Sequence, residues 1–177
     1  MRRNILRAGI AAVVLSLDVA APVAAGPFED GIAAYRRGDY PTAMGLLRPL
    51  ADQGNASAQS YLGFMYENGR GVPRDDAAAT GWYRRAADQG YAPAQVSLGL
   101  FYDKGRGGLQ KDEREAARLY KLAAEQGNSL GQAYLAVLYE QGRGGLPKDG
   151  REAARLYKLA ADQGDDFAQA ALKRLAR

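Results

Sequence analysis

Residues 94–127 read AQVSLGLFYDKGRGGLQKDEREAARLYKLAAEQG, and the chain repeats itself on both sides of them. Residues 58–90 read AQSYLGFMYENGRGVPRDDAAATGWYRRAADQG, and residues 131–164 read GQAYLAVLYEQGRGGLPKDGREAARLYKLAADQG. The closing glycines Gly54, Gly90, Gly127 and Gly164 are spaced by 36, 37 and 37 residues. A period in this range marks a solenoid, a propeller or a repeat array.

Each unit divides into two apolar runs of helical length around a glycine-rich turn, which predicts an antiparallel helix pair. In the first run Ala58, Leu62 and Tyr66 recur at i, i+4 and i+8, as do Ala94, Leu98, Tyr102 and Gly131, Leu135, Tyr139. The second run carries Ala79, Tyr83, Ala87, then Ala116, Tyr120, Ala124, then Ala153, Tyr157, Ala161. One helix pair cannot hide two such stripes, but a stack of pairs can. Gly69 and Gly71, Gly105 and Gly107, and Gly142 and Gly144 fit a helix C-cap followed by a turn that needs positive φ. Asp75, Asp112 and Asp149 fall where an N-cap acceptor is wanted. Glu115 and Glu152 lie three residues further on and complete a capping box, which Ala78 denies to the first unit. Small residues at Gly63, Gly99 and Ala136, and at Ala86, Ala123 and Ala160, suit close helix crossing.

The pattern A-x-x-x-L-G-x-x-Y-x-x-G-x-G-V-x-x-D, followed by A-x-x-W-Y-x-x-A-A-x-Q-G, resembles the Sel-one-like repeat (SLR) family, a relative of the tetratricopeptide repeats. The resemblance covers roughly residues 51–177. It implies an all-α fold, an α-solenoid coiled as a right-handed superhelix of antiparallel helix-pair repeats, with the first helix of each pair on the concave side. Units two and three depart from the pattern: Trp82 becomes Leu119 and Leu156, and GVPRD lengthens by one residue to GGLQKD and GGLPKD.

Residues 1–25 read as a signal peptide. Arg2, Arg3 and Arg7 precede an apolar run, and Val23-Ala24-Ala25 is a small-residue cleavage site, so cleavage is expected after Ala25. Asp18 interrupts the apolar run, which argues against a lasting membrane anchor. The chain has 24 basic and 20 acidic residues, of which three arginines and one aspartate lie in this segment, leaving 21 and 19 and a net charge of about +2. Without a clustered positive face, nucleic-acid binding has no support. Residues 26–54 form a degenerate capping unit, in which Tyr35, Gly38, Asp39, Tyr40 and Ala43 resemble the tetratricopeptide pattern and Pro41 sits near a helix start. Three full units follow at 55–90, 91–127 and 128–164, and residues 165–177 begin a fourth that closes the array.

The chain contains neither histidine nor cysteine. That removes Ser-His and Cys-His nucleophile pairs, the usual zinc sites and disulfides. The cysteine-rich branch of the family, which clamps each helix pair with a disulfide and includes proteins that handle penicillin-like compounds, is a poor match. None of the five serines lies in G-x-S-x-G or S-x-x-K. The G-x-G turns link helices and precede no Lys-Ser or Lys-Thr, so they are not phosphate loops. Arg70, Arg106 and Arg143 repeat within these turns and would form a ladder, read either as solvated helix-end caps or as an anionic docking edge. Tyr66, Tyr102, Tyr139, Tyr83, Tyr120 and Tyr157 read as packing residues with their hydroxyls at the rim.

Candidate binding positions lie opposite the core stripe of each first helix. With Leu62 as the core centre, the helical wheel turns Ser60, Tyr61, Phe64 and Glu67 outward. The equivalents are Val96, Ser97, Leu100 and Asp103, then Ala133, Tyr134, Val137 and Glu140. This predicts an apolar rail (Phe64, Leu100, Val137) beside an acidic rail (Glu67, Asp103, Glu140), suited to a partner helix or peptide with apolar anchors and basic flanks. The sequence thus reads as an exported, soluble, non-catalytic adaptor in a bacterial cell envelope, periplasmic or secreted. It is expected to be a monomer with a protein or peptide partner, no nucleic acid, no membrane span after processing, and no metal or organic cofactor. The alternatives are an envelope-remodelling or β-lactam-hydrolysing enzyme, and a glycan-binding module for which Tyr61 with Tyr134 is the one candidate aromatic pair.

Overall fold

The computed structural model describes residues 26–176; the expected signal peptide and Arg177 lie outside them. The described residues form nine α-helices and no strand. Helices α1 (Pro27–Arg36) and α2 (Tyr40–Asp52) make the N-terminal unit. Three pairs follow: α3 (Ala56–Asn68) with α4 (Asp76–Asp88), α5 (Ala92–Lys104) with α6 (Glu113–Glu125), and α7 (Ser129–Gln141) with α8 (Gly150–Asp162). Helix α9 (Asp166–Leu175) stands at the C-terminal end. Each helix packs against the one before it and the one after it, and α5 also touches α7. The second helices α4, α6 and α8 make no comparable contact with one another, so α5 and α7 lie on the inner side where they meet, and the repeat register extends this to the other first helices.

The turns follow from backbone chemistry. Gly69, Gly105 and Gly142 end the first helices in the left-handed region, with φ near 64° to 68°. Gly107 is also left-handed, and a Cβ there would collide with the Thr80 hydroxyl and the Asp76 carbonyl of the preceding repeat. Asp75, Asp112 and Asp149 each cap the second helix by accepting from two backbone N–H groups at 2.9 to 3.0 Å. The expected capping boxes do not close. The backbone N–H of Asp112 donates to the Tyr102 carbonyl, and that of Asp149 to the Tyr139 carbonyl, so nothing is left for a glutamate to cap. Glu115 and Glu152 turn instead to Arg118 and Arg155, at 2.7 to 2.8 Å.

The core is built mainly of alanine and leucine, with one buried tyrosine from each second helix of the three repeats. Ala58, Ala79, Ala94, Ala116 and Ala153 are wholly buried, and Tyr83, Tyr120 and Tyr157 are nearly so. Close approach depends on the small residues: a Cβ at Gly63 would stand 2.6 Å from the Tyr83 ring, and one at Gly99 would stand 2.6 Å from the Tyr120 ring. Buried residues gather in three clusters, one under the N-terminal unit and α3, one around α4 and α5, and one from α6 to α9. Half-buried Tyr66 and Tyr102 each pack against two of them and join the three into one core. Trp82 is held between the guanidinium groups of Arg48 and Arg85, 5.1 and 4.6 Å from its ring.

Candidate functional site

The twelve expected groove positions divide into four sets, of which Tyr61, Ser97 and Tyr134 are placed below with the aromatic cleft. Ser60, Val96 and Ala133, expected to face outward, are buried at 9%, 3% and 2% exposure. The wheel assumed a single core direction. Each inner helix is flanked by two second helices, its own and that of the preceding unit, so its buried arc is far wider than half a turn. The expected apolar rail is uneven: Phe64 is 44% exposed, whereas Leu100 and Val137 are half-buried against the core.

Glu67, Asp103 and Glu140 are half-buried, and each is already engaged. Glu67 accepts from the Tyr83 hydroxyl at 2.8 Å and from Arg106 Nη1 at 3.0 Å. Glu140 accepts from the Tyr157 hydroxyl at 3.0 Å and from both terminal nitrogens of Arg174 at 2.6 and 2.7 Å. Asp103, one methylene shorter, takes Arg143 at 2.7 Å and leaves the Tyr120 hydroxyl without any partner. Burial raises the Tyr83, Tyr120 and Tyr157 phenols above the ordinary value. The acidic rail is therefore neutralised from within the molecule and offers no charge to basic flanks on a partner.

Turn arginines neutralise Glu67 and Asp103, and Arg174 of α9 neutralises Glu140. Besides Glu67, Arg106 holds Asp76 at 3.0 Å, and its guanidinium lies 4.5 Å from the Phe101 ring. Besides Asp103, Arg143 holds Glu113 at 2.9 and 3.1 Å. Each arginine thus reaches back to both helices of the preceding unit. Arg143 and Lys111 together pull the Glu113 carboxyl down to about 2. The expected anionic docking edge is spent at Arg106 and Arg143, because their charges are matched inside the solenoid.

Arg70 differs. It donates to the Tyr40 hydroxyl at 2.8 Å and lies 5.3 Å from that ring, and among the described residues no carboxylate is within salt-bridge distance of it. The N-terminal unit explains why. Its Tyr35-Arg36-Arg37-Gly38 matches Tyr66-Glu67-Asn68-Gly69, and Tyr40 follows the N-cap Asp39 as Asp76 follows Asp75. Both carboxylates that would receive a turn arginine are replaced there, by Arg36 and by Tyr40.

Through Tyr40, whose ring lies 5.4 Å from that of Tyr35, Arg70 is linked to an aromatic cleft of about 470 Å³ formed by the first helices. Tyr35, Tyr61, Phe64 and Tyr91 line it, with the edge of Tyr83, and Ser60 and Ser97 add hydroxyls. Tyr35 meets Phe64 at 6.1 Å and Tyr61 at 6.2 Å, both edge to face, and Phe28 meets Tyr61 at 5.9 Å. Burial and the neighbouring Tyr40 raise the Tyr35 phenol, while Arg70 pulls it back. Tyr134 does not share this cleft: it stacks on Tyr120 at 5.2 Å, so Tyr61 and Tyr134 form no pair for a sugar.

A second set of polar contacts escaped sequence reasoning. Gln59, Gln95 and Gln132 are buried on the inner helices and accept from Gln89, Gln126 and Gln163 at 2.7 to 2.9 Å. The Gln59 amide also donates to the Ala51 carbonyl at 3.0 Å, across the unit boundary. A glutamine recurring beside each invariant small residue was the available signal.

A sequence profile of the Sel1 repeat matches residues 56–91, 92–128 and 129–165. The chain belongs to the Sel1 repeat family. Sel1 repeats generally serve as protein-interaction scaffolds. Solved structures agree in fold. A Sel1 repeat protein from Oxalobacter formigenes is 37% identical with a TM-score of 0.77, over 84% of this chain and 58% of that one. A protective antigen of uropathogenic Escherichia coli with an SLR fold is 37% identical with a TM-score of 0.73, over 80% and 31%. This Sel1 chain thus spans little more than half the length of the first and under a third of the second. The cysteine-rich protein B of Helicobacter pylori shares the fold at 20% identity, with a TM-score of 0.54, over 81% and 96%. No curated protein matches the chain. Among the described residues no helix is long and apolar enough to cross a membrane, and no acidic cluster is arranged to hold a metal ion.

Proposed function

We propose that this Sel1 repeat chain is an exported, non-catalytic adaptor of a bacterial cell envelope that holds a protein or peptide partner on its inner surface. The observation that carries the reading is the aromatic cleft around Phe64. The Phe64 ring, 44% exposed, stands with Tyr35 and Tyr61 in one concave apolar patch, the kind of surface that a partner's side chain covers. The non-catalytic reading rests on the side chains at hand: the inner carboxylates are committed to arginines and tyrosines, and the sequence offers no histidine or cysteine to activate a nucleophile. The export reading rests on the basic, apolar and small-residue pattern of residues 1–25.

Site-specific photo-crosslinking in living cells tests it, with the probe at Phe64 and a control at Arg84, exposed on α4. One dominant protein adduct at Phe64 and none at Arg84 is expected, recovered from the envelope or extracellular fraction. Equal labelling at both sites, or a cytoplasmic adduct, would sink the reading.

A further inference from the structure

We infer that the cleft beside α1 and α3 selects an acidic peptide segment: an aromatic or large apolar side chain seated among Tyr35, Tyr61 and Phe64, with a nearby carboxylate paired to Arg70. This rests on the scaffold reading and reverses the charge that the carboxylate positions alone suggest. Three observations carry it.

The first is charge. Glu67, Asp103 and Glu140 are matched by Arg106, Arg143 and Arg174, so the inner surface presents no free negative rail. Arg70 is the turn arginine without a carboxylate among the described residues, and Arg36 takes the sequence place of the glutamate that would have met it. The uncompensated charge beside the cleft is positive, which disfavours a basic partner by repulsion and welcomes an acidic one.

The second is preorganisation. Arg70 is bonded to the Tyr40 hydroxyl, with its guanidinium 5.3 Å from that ring, so its side chain is restrained before a ligand arrives. The remaining guanidinium donors stay available for a planar two-point contact with a carboxylate.

The third is spacing. Phe64 meets Tyr35 at 6.1 Å, Tyr35 meets Tyr40 at 5.4 Å, and the Arg70 guanidinium lies 5.3 Å from the Tyr40 ring. Three such steps span at most about five residues of extended chain. The ring and the carboxylate therefore belong to one short segment.

The test is a random dodecapeptide array probed with the mature chain and with three variants: Arg70→Gln, Arg70→Lys and Phe64→Ser. Circular dichroism melting first establishes that each variant is folded. Enrichment of peptides that place Phe, Tyr, Trp or Leu within about five residues of Asp or Glu is expected. Their affinity should fall about tenfold in Arg70→Gln, partly recover in Arg70→Lys, and weaken with added salt. Enrichment of basic or neutral peptides, or acidic peptides indifferent to Arg70→Gln, would overturn the inference and leave the scaffold reading in place. Selection of no peptide at all would overturn both.

Discussion

The Tyr83 hydroxyl donates to a Glu67 carboxylate oxygen at 2.8 Å, across the interface between α4 and α3. The same bond joins Tyr157 to Glu140 two repeats later. Between them, Asp103 is a methylene too short, and the Tyr120 hydroxyl is buried without a partner. Asp103→Glu should supply the missing acceptor and stabilise the fold by about 1 kcal/mol, a rise of roughly 2–4 °C in melting temperature. Tyr120→Phe should be neutral or slightly stabilising, whereas Tyr83→Phe should cost about 1 kcal/mol. Equal effects of the two Tyr→Phe changes in thermal melts would refute the account.

Removing a turn arginine should depend on which one is removed. Arg106→Gln leaves Glu67 and Asp76 facing each other without their shared cation, and Arg143→Gln does the same to Asp103 and Glu113. Each should lower stability by about 1–2 kcal/mol in urea melts, because these pairs are only about a quarter to a third exposed. Arg70→Gln strands no carboxylate and should change stability by less than about 0.5 kcal/mol. A loss at Arg70 as large as at Arg106 would count against the inter-repeat tether.

Acid should loosen the array through the carboxylates that arginines hold, both between and within repeats. Glu113 titrates at about 2 in the folded chain against an ordinary 4.5, mainly because Arg143 donates to it. Asp76, Glu140 and Glu152 are lowered in the same direction, chiefly by Arg74, Arg174 and Arg155. A folded value below the unfolded one means stabilisation that is complete above about pH 4.5 and is lost as pH falls toward 2. Stability measured by urea at successive pH values should decline through that window, and Glu113→Gln should decline less steeply. Parallel curves for the two proteins would show that Glu113 is not a source of the acid sensitivity.

Two glycine substitutions should move stability in opposite directions. Gly81 lies within α4 with open space where a Cβ would go, so Gly81→Ala should stabilise by about 0.5–1 kcal/mol. At Gly99 the same Cβ meets the Tyr120 ring, which is packed on all sides, and Gly99→Ala should cost about 1–3 kcal/mol. The lone tryptophan, Trp82, provides a fluorescence signal for the N-terminal half of the array. A matching change in far-ultraviolet circular dichroism would show that the halves unfold together.

Local chemistry was legible in the sequence, and chemistry across repeats was not. Gly69, Asp75 and their equivalents act within a few residues of themselves, so a pattern of glycines and aspartates announces the turns. Arg106 meets Glu67 and Asp76 across 39 and 30 residues of chain, and only the stacking of the units brings them together. The capping boxes fail for a related reason: whether Glu115 reaches back depends on whether Tyr102 has already taken the Asp112 N–H. At the cleft, the wheel turns Phe64 and Tyr61 outward, whereas Tyr35 and Tyr91 arrive from the neighbouring units: Tyr35 holds the repeat position of Tyr66 and reads as core, and Tyr91 has no counterpart in the other units.

The arginine tethers all point the same way along the chain, and this gives the array a grain. Arg106 and Arg143 each reach back to two carboxylates of the unit before, so a full joint needs an arginine on the later unit and two carboxylates on the earlier one. The third repeat offers only Glu140, already closed by Arg174, because Gly150 stands where Asp76 and Glu113 stand in the earlier repeats. A longer solenoid is therefore better grown from the middle, by duplicating residues 91–127, than by appending a unit after residue 164. The inserted copy would find a matching socket on one side and provide one on the other, while the appended one would displace Arg174 and meet a single carboxylate, Glu140, with Gly150 in the place of the second.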